Sequence, residues 1–143
     1  MDDLVVWLGE QLDEDERIAR AASWTDEANA WHAEPSPFGA RDRGQRWYVE
    51  DAMDDGVVTH VDPQASDDEG VARHIAEHDP ARVLREIDAK RQLVERYESA
   101  MENRRAHPDD LASAGALLAL HGAVKLLALP YSDRSGYREE WRP

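Results

Sequence analysis

The chain has 143 residues, with 31 Asp and Glu against 17 Lys and Arg, a formal net charge of −14 and no cysteine. That length fits one domain with its own core, and the missing sulfur excludes disulfides, thiolate nucleophiles and every metal or cluster site built on Cys. The acid is regional, with 10 acids and 2 bases in residues 1–40, 11 and 4 in 41–80 and 10 and 11 in 81–143, a field that repels phosphate backbones and excludes a general nucleic-acid binder.

Residues 2–22 set Leu4, Trp7, Leu8, Leu12, Ile18, Ala19 and Ala22 at near-helical spacing behind Asp2 and Asp3, which predicts an amphipathic helix with acid at its positive end. The run Asp13-Glu14-Asp15-Glu16 has no glycine turn and no alternating oxygen ligands, so it is read as a solvated acidic face rather than an ion loop.

From Ser23 to Gln64 the period falls to two. Ala30-Trp31-His32-Ala33 is too short to assign. Arg46–Glu50 and Val57–Val61 are rich in β-branched and aromatic residues and flank the turn Met53-Asp54-Asp55-Gly56, predicting a hairpin or small antiparallel meander. Glu34-Pro35-Ser36-Pro37-Phe38-Gly39 reads as a loop before it. So small a sheet must lay one face on helices, through Trp47, Val49, Val58 and Thr59 or their alternates.

Ser66-Asp67-Asp68-Glu69 has the form of a capping box and starts a helix running to His78. Asp79 then caps a longer one, with Pro80 at its first position. There Val83, Leu84, Ile87, Val94, Tyr97 and Met101 recur at three- and four-residue steps to about Arg105. Pro108-Asp109-Asp110 opens a last helix, Leu111 to Leu129, whose leucines spread around its circumference. Such a helix is either the most buried of the domain or faces another subunit. Pro130 ends it, and an aromatic tail is expected to wrap over the core. The expected fold class is α+β: about four helices with a small antiparallel sheet, within a single domain. No basic region followed by an apolar one opens the chain, and His121, Gly122 and Lys125 interrupt the longest apolar stretch. Neither a signal peptide nor a membrane span is therefore expected, and the cytoplasm is the expected location.

His74-Ile75-Ala76-Glu77-His78-Asp79-Pro80-Ala81-Arg82-Val83-Leu84, continuing to Lys90-Arg91, together with Leu127-Ala128-Leu129-Pro130-Tyr131 and Gly136-Tyr137-Arg138-Glu139-Glu140-Trp141-Arg142-Pro143, resembles a family of small proteins of unknown function from actinobacteria and their phages. The opening Leu8-x-x-x-Leu12-Asp13-Glu14-Asp15-Glu16 is similar to that family's start. A looser likeness, through Ile75-Ala76 and Val83-Leu84, is to Ead-like phage accessory proteins; Ser23-Trp24-Thr25 and Asn29-Ala30-Trp31 replace their Pro-Gly-Pro-Trp segment. The resemblance implies an accessory gene of a mobile element and carries no catalytic residue.

The sharpest local constellation is His74-x-x-x-His78. Four residues apart on a helix, two imidazoles can take two tetrahedral positions around zinc, with Asp79, His60 or His32 as further donors. Two ligands do not make a site, and Ile75 stands where a metalloprotease helix needs Glu, so no stoichiometric metal or other cofactor is expected. There is no Gly-x-Ser-x-Gly elbow, Ser-x-x-Lys pair, phosphate loop or dinucleotide fingerprint. Five Trp and four Tyr against one Phe is a composition of interfaces as well as of small cores. Trp31, Trp47, Tyr48, Tyr131 and Trp141, with Arg134 and Arg138, are candidates to line a groove for a small anionic ligand such as a nucleotide. The leading expectation is a non-enzymatic accessory protein that engages a basic or mixed-charge host protein through Asp13, Glu14, Asp15 and Glu16. A nucleotide-sequestering protein comes second and a zinc-dependent enzyme third. Self-association is expected to use the apolar helix 111–129.

Overall fold

The computed structural model describes residues 2–37, 46–61 and 68–143. It has four α-helices, α1 (Asp3–Ala21), α2 (Asp68–Glu77), α3 (Pro80–Ala106) and α4 (Leu111–Ala128), and three strands, β1 (Trp31–Pro35), β2 (Trp47–Asp51) and β3 (Gly56–Val61). The α+β class read from the sequence is the class found. The residues form two compact units, Met1–Asp15 with Glu86–Pro143, and Glu16–Arg85.

In the first unit, Asp2 caps α1 by accepting the Leu4 amide at 2.9 Å, which satisfies one of the helix's orphan donors. Leu4, Val5, Trp7, Leu8 and Leu12 of this helix are buried, as are Ile87, Tyr97, Val124, Ala128, Tyr131 and Trp141. Farther along α1, Ile18 and Ala22 lie exposed, against expectation, because the buried arc narrows to Ala19 in its last turns. The tail does fold back. The Trp7 indole donates to the Ser135 carbonyl at 3.0 Å, and Trp7 stands 5.5 Å from Tyr137 and 5.3 Å from Trp141, ring centre to ring centre. Gly136 makes this possible: its φ is +86°, and a Cβ there would sit 2.9 Å from the Trp7 indole nitrogen. Pro130 does not stop the chain outright. It tightens the end of α4 into the 3₁₀ turn Leu129–Tyr131, since a proline in a first turn gives up no hydrogen bond.

The second unit is built on the sheet, ordered β1-β2-β3 and antiparallel throughout. The short segment around Trp31–Ala33 is a strand, and it takes in Glu34 and Pro35, where the sequence pattern predicts a loop. Pro35 is tolerated because β1 is an edge strand, where a missing N–H breaks no interior ladder. The register sets His32 opposite Glu50 and Ala33 opposite Val49. Val49, Val61, Ala72 and Ala76 form the buried centre, with Trp31, Ala33, Trp47, Val57, Val58 and Ile75 packed against it. Thr59 is exposed and Val57 takes its place. A register irregularity between β2 and β3 lets two successive valines touch the core.

Two aspartates organise this unit. Asp51, 3% exposed, accepts from the Met53 and Asp55 amides at 2.8 and 3.1 Å and from the Trp24 indole at 3.0 Å. It thereby holds the β2–β3 turn, in which Asp54 takes the left-handed φ of 62°. Burial alone would raise the Asp51 carboxyl, but the bonds from Asp55, Trp24 and Met53, with His32 nearby, outweigh it and hold its pKa below the usual range. Asp79 caps α3 as expected, accepting the Arg82 amide at 2.7 Å, and its second oxygen accepts the Trp31 amide at 3.0 Å. The capping-box residue Ser66 lies outside the described residues; its partner Glu69 pairs with Arg73 at 2.8 Å.

Candidate functional site

Both faces of α4 are apolar. Its inner stripe holds the buried Ser113, Val124 and Ala128, and His121 stacks on Tyr97 of α3 at 5.6 Å. The outer stripe carries Leu111, Leu118 and Leu126, which are 86%, 74% and 58% exposed. At 100° per residue, Leu111, Gly115, Leu118, Ala119, Gly122 and Leu126 fall within an arc of about 100°. Shallow concavities flank Leu118, one floored by Tyr97, Met101 and Leu117, the other by Gly122, Leu126 and Pro143.

No Asp or Glu occurs between Asp110 and Asp133, and Lys125 is the lone Lys or Arg of the helix. The ammonium of Lys125 donates to the Glu140 carbonyl at 3.0 Å. Gly115 and Gly122 each cost a helix roughly 1 kcal/mol relative to alanine, yet a Cβ at either would meet nothing within 4 Å. Among the described residues, nothing requires them to be glycine.

Leu111–Tyr131 is long and apolar enough to cross a membrane by length and composition, with 17% of its window buried. His121, Gly122 and Lys125, the interruptions on which no membrane span is expected from the sequence, fall short of removing it. Of the two alternatives left open for this helix, the most buried element is therefore not the one found.

The second unit presents a polar surface. Strand alternation turns Trp31, Ala33, Trp47 and Val49 toward the core and leaves His32, Glu34, Tyr48 and Glu50 on the opposite face. His32 Nε2 lies 2.9 Å from Glu50 and 3.9 Å from Glu34, and donor atoms of His32, Glu50 and Asp54 all lie within 4.8 Å of one another. One imidazole and two carboxylates so placed are chemically able to hold a divalent cation with water completing its shell. Burial, then Glu50, Glu34 and Asp54, raises the Tyr48 phenol, as expected in a negative field.

His32 entered the sequence reading only as an accessory to His74 and His78. Its partner is fixed by strand register, which no spacing along the chain displays. His74 and His78 do meet, with ring centres 4.4 Å apart, but both are exposed, and His78 Nδ1 lies 2.8 Å from the His74 carbonyl. That bond caps the end of α2. Asp79 is occupied by two amides, and the side chain of His60 lies outside the described residues.

The acidic run on α1 is not an uncompensated face. Asp13 pairs with Arg91 at 2.7 Å, and Glu16 with Arg20 at 2.8 Å. Asp15 accepts from Arg134 at 2.7 Å and from the Tyr131 hydroxyl at 2.8 Å; Glu14 is exposed and engaged as well. Burial first, then this bond to Asp15, raises the Tyr131 phenol well above its ordinary value. Asp15 thus anchors the 3₁₀ turn that follows α4.

The aromatic candidates divide between the two units. Trp31 and Trp47 pack in the sheet core, Trp31 with its indole N–H buried and unpaired and Trp47 beneath Arg73 at 5.6 Å. In the first unit, Tyr131 and Trp141 are buried under Arg134 and Arg138, at 4.7 and 5.1 Å. Arg138 also pairs with Asp3 at 2.9 Å. Both arginines that were candidates for an anion are thus paired with carboxylates of α1.

No curated protein and no solved structure matches this chain. A family profile does, over residues 1–143, and the chain belongs to that family, DUF6221, a family of unknown function.

Proposed function

We propose that the protein is a non-enzymatic binding protein whose working surface is the outer face of α4. The observation that carries this reading is a helix with leucines exposed at its start, middle and end and no acid along its length, in a chain of net charge −14. Large exposed apolar patches on small proteins mark interaction sites, and each exposed leucine represents roughly 1.5–3 kcal/mol recoverable on burial. The acidic run at Asp13–Glu16 is second to this surface as a docking site, because it is engaged in side-chain pairs of its own. The setting implied by the sequence resemblance, an accessory protein of a phage or mobile element acting on a cytoplasmic host protein, is kept as part of the proposal and is tested by gene neighbourhood. A photo-activated cross-linker at Leu118 is expected to yield a discrete adduct in cells, and one at the exposed Glu10 none. Adducts equally weak at both positions would overturn the reading.

A second reading is favoured by the cluster of His32, Glu50 and Asp54: a divalent cation held on the outer face of the sheet. Isothermal titration with zinc and manganese tests it, and heats that survive His32→Ala would remove it.

A further inference from the structure

The outer stripe of α4 has the same spacing in both directions. From Leu111 the steps to Gly115, Leu118, Ala119, Gly122 and Leu126 are four, three, one, three and four residues. A two-fold axis between Leu118 and Ala119 therefore sets Leu111 of one copy level with Leu126 of the other, Gly115 with Gly122, and Leu118 with Ala119. A surface that meets itself across a two-fold axis must be self-complementary in this way, large residue opposite small and end opposite end.

We propose that α4 pairs antiparallel with α4 of a second copy of this chain about that axis. The inference rests on the reading of α4 as the docking surface and names its occupant. Each Leu118 lies over Ala119 of the other copy, between Gly115 and Gly122, whose missing side chains let the two backbones come close. This accounts for two glycines that have open space around them.

Charge selects the same occupant. Two chains of −14 repel, and α4 is a long surface on which they can touch with no carboxylate in the contact. The antiparallel register sets Lys125 level with Ala112 of the second copy, with Asp109 at the rim of the contact, and keeps the two Lys125 at opposite ends of the paired helices. A bilayer is a poorer occupant, since the buried stripe at Ser113, Val124 and Ala128 already faces protein and Asp109, Asp110 and Asp133 bracket the segment.

One helix pair buries less than the roughly 1,600 Å² of a standard interface, so pairing belongs in the micromolar range. Sedimentation of the full chain between about 1 and 200 µM is expected to show a monomer of 16.2 kDa passing to a dimer. Leu118→Glu should abolish the dimer and leave the circular dichroism unchanged. Gly122→Leu should also abolish it while raising thermal stability, two effects of opposite sign.

The cysteine-free chain makes register measurable. Leu118→Cys should oxidise to a disulfide dimer; Leu111→Cys and Leu126→Cys should cross-link to each other when mixed and not to themselves. A monomer across the whole range, a dimer indifferent to Leu118→Glu, or Leu111→Cys linking to itself overturns the proposal. If the chain stays monomeric while a cross-linker at Leu118 captures another protein, or while vesicles bind the wild type and not Leu118→Glu, self-pairing falls and the docking role of α4 stands.

Discussion

The outer face of the sheet and the outer face of α4 differ in how each meets water. On the sheet, period-two alternation sends Trp31, Ala33, Trp47 and Val49 inward and leaves His32, Glu34, Tyr48 and Glu50 outside, with His32 paired to both glutamates. On α4 no such division exists. The side toward α3 carries Ser113, His121, Val124 and Ala128, and the side away from it is built of Leu, Ala and Gly, so neither bears an acid. A polar outer face needs nothing further to be stable in solution, whereas an apolar one gains free energy from any apolar surface placed on it. A low-charge helix on an acidic chain is thus better evidence of a partner than the run Asp13–Glu16 is, because that run is already engaged within the chain.

Leucines in the two kinds of place break or sustain that contrast most strongly. Leu8 on α1 is fully buried, so Leu8→Ala should cost about 2–5 kcal/mol. Leu118→Ala should change the stability of the monomer by less than about 0.5 kcal/mol. Urea titration of both at a concentration where the chain is monomeric decides it; equal losses would mean that α4's outer face is covered in solution.

Asp51 tests the sheet side. Its carboxyl pKa is lowered in the folded chain, so its contribution is present above the unfolded carboxylate pKa of about 3.9 and is lost as pH falls through the folded value. The thermal midpoint should therefore drop on acidification below about pH 4. Asp51→Asn should be less stable at neutral pH and show a shallower acid decline; a parallel decline would remove Asp51 as its source.

Asp79 comes next. Asp79→Ala should cost about 0.5–2 kcal/mol. A capping role alone would make Asp79→Ser and Asp79→Asn nearly neutral, since either side chain can accept the same amide bond. With Asp79 Oδ2 also holding the Trp31 amide, both are now expected to fall between wild type and alanine in chemical denaturation.

Tyr131→Phe removes one donor from Asp15 and leaves Arg134 in place. A loss of about 1 kcal/mol is expected. Replacing Asp13, Glu14, Asp15 and Glu16 together should cost more than this, which a purely solvated face would not. The smallest effect concerns metal. Zinc is expected to shift the His32 imidazole resonances before those of His74 and His78, with little change in stability. The opposite order would restore the helix pair as the better ligand.

The sequence by itself determined the helices, the two hairpin strands and most of their limits, because these depend on local periods and caps: the Asp79-Pro80 start, the Pro108-Asp109-Asp110 start and the hairpin strands all follow from neighbours within a turn. It also showed that α4 is apolar around its circumference, and left its burial open. What only the tertiary structure decided are relations between residues far apart in the chain. Strand register puts His32 against Glu50, 18 positions away. The return of the tail puts Arg134 and Tyr131 on Asp15, more than 100 positions away, which turned a supposed docking face into an anchor. Helix packing settled which side of α4 is covered. Periodicity records which residues share a face, and the surface that face meets is fixed by the packing of segments distant along the chain.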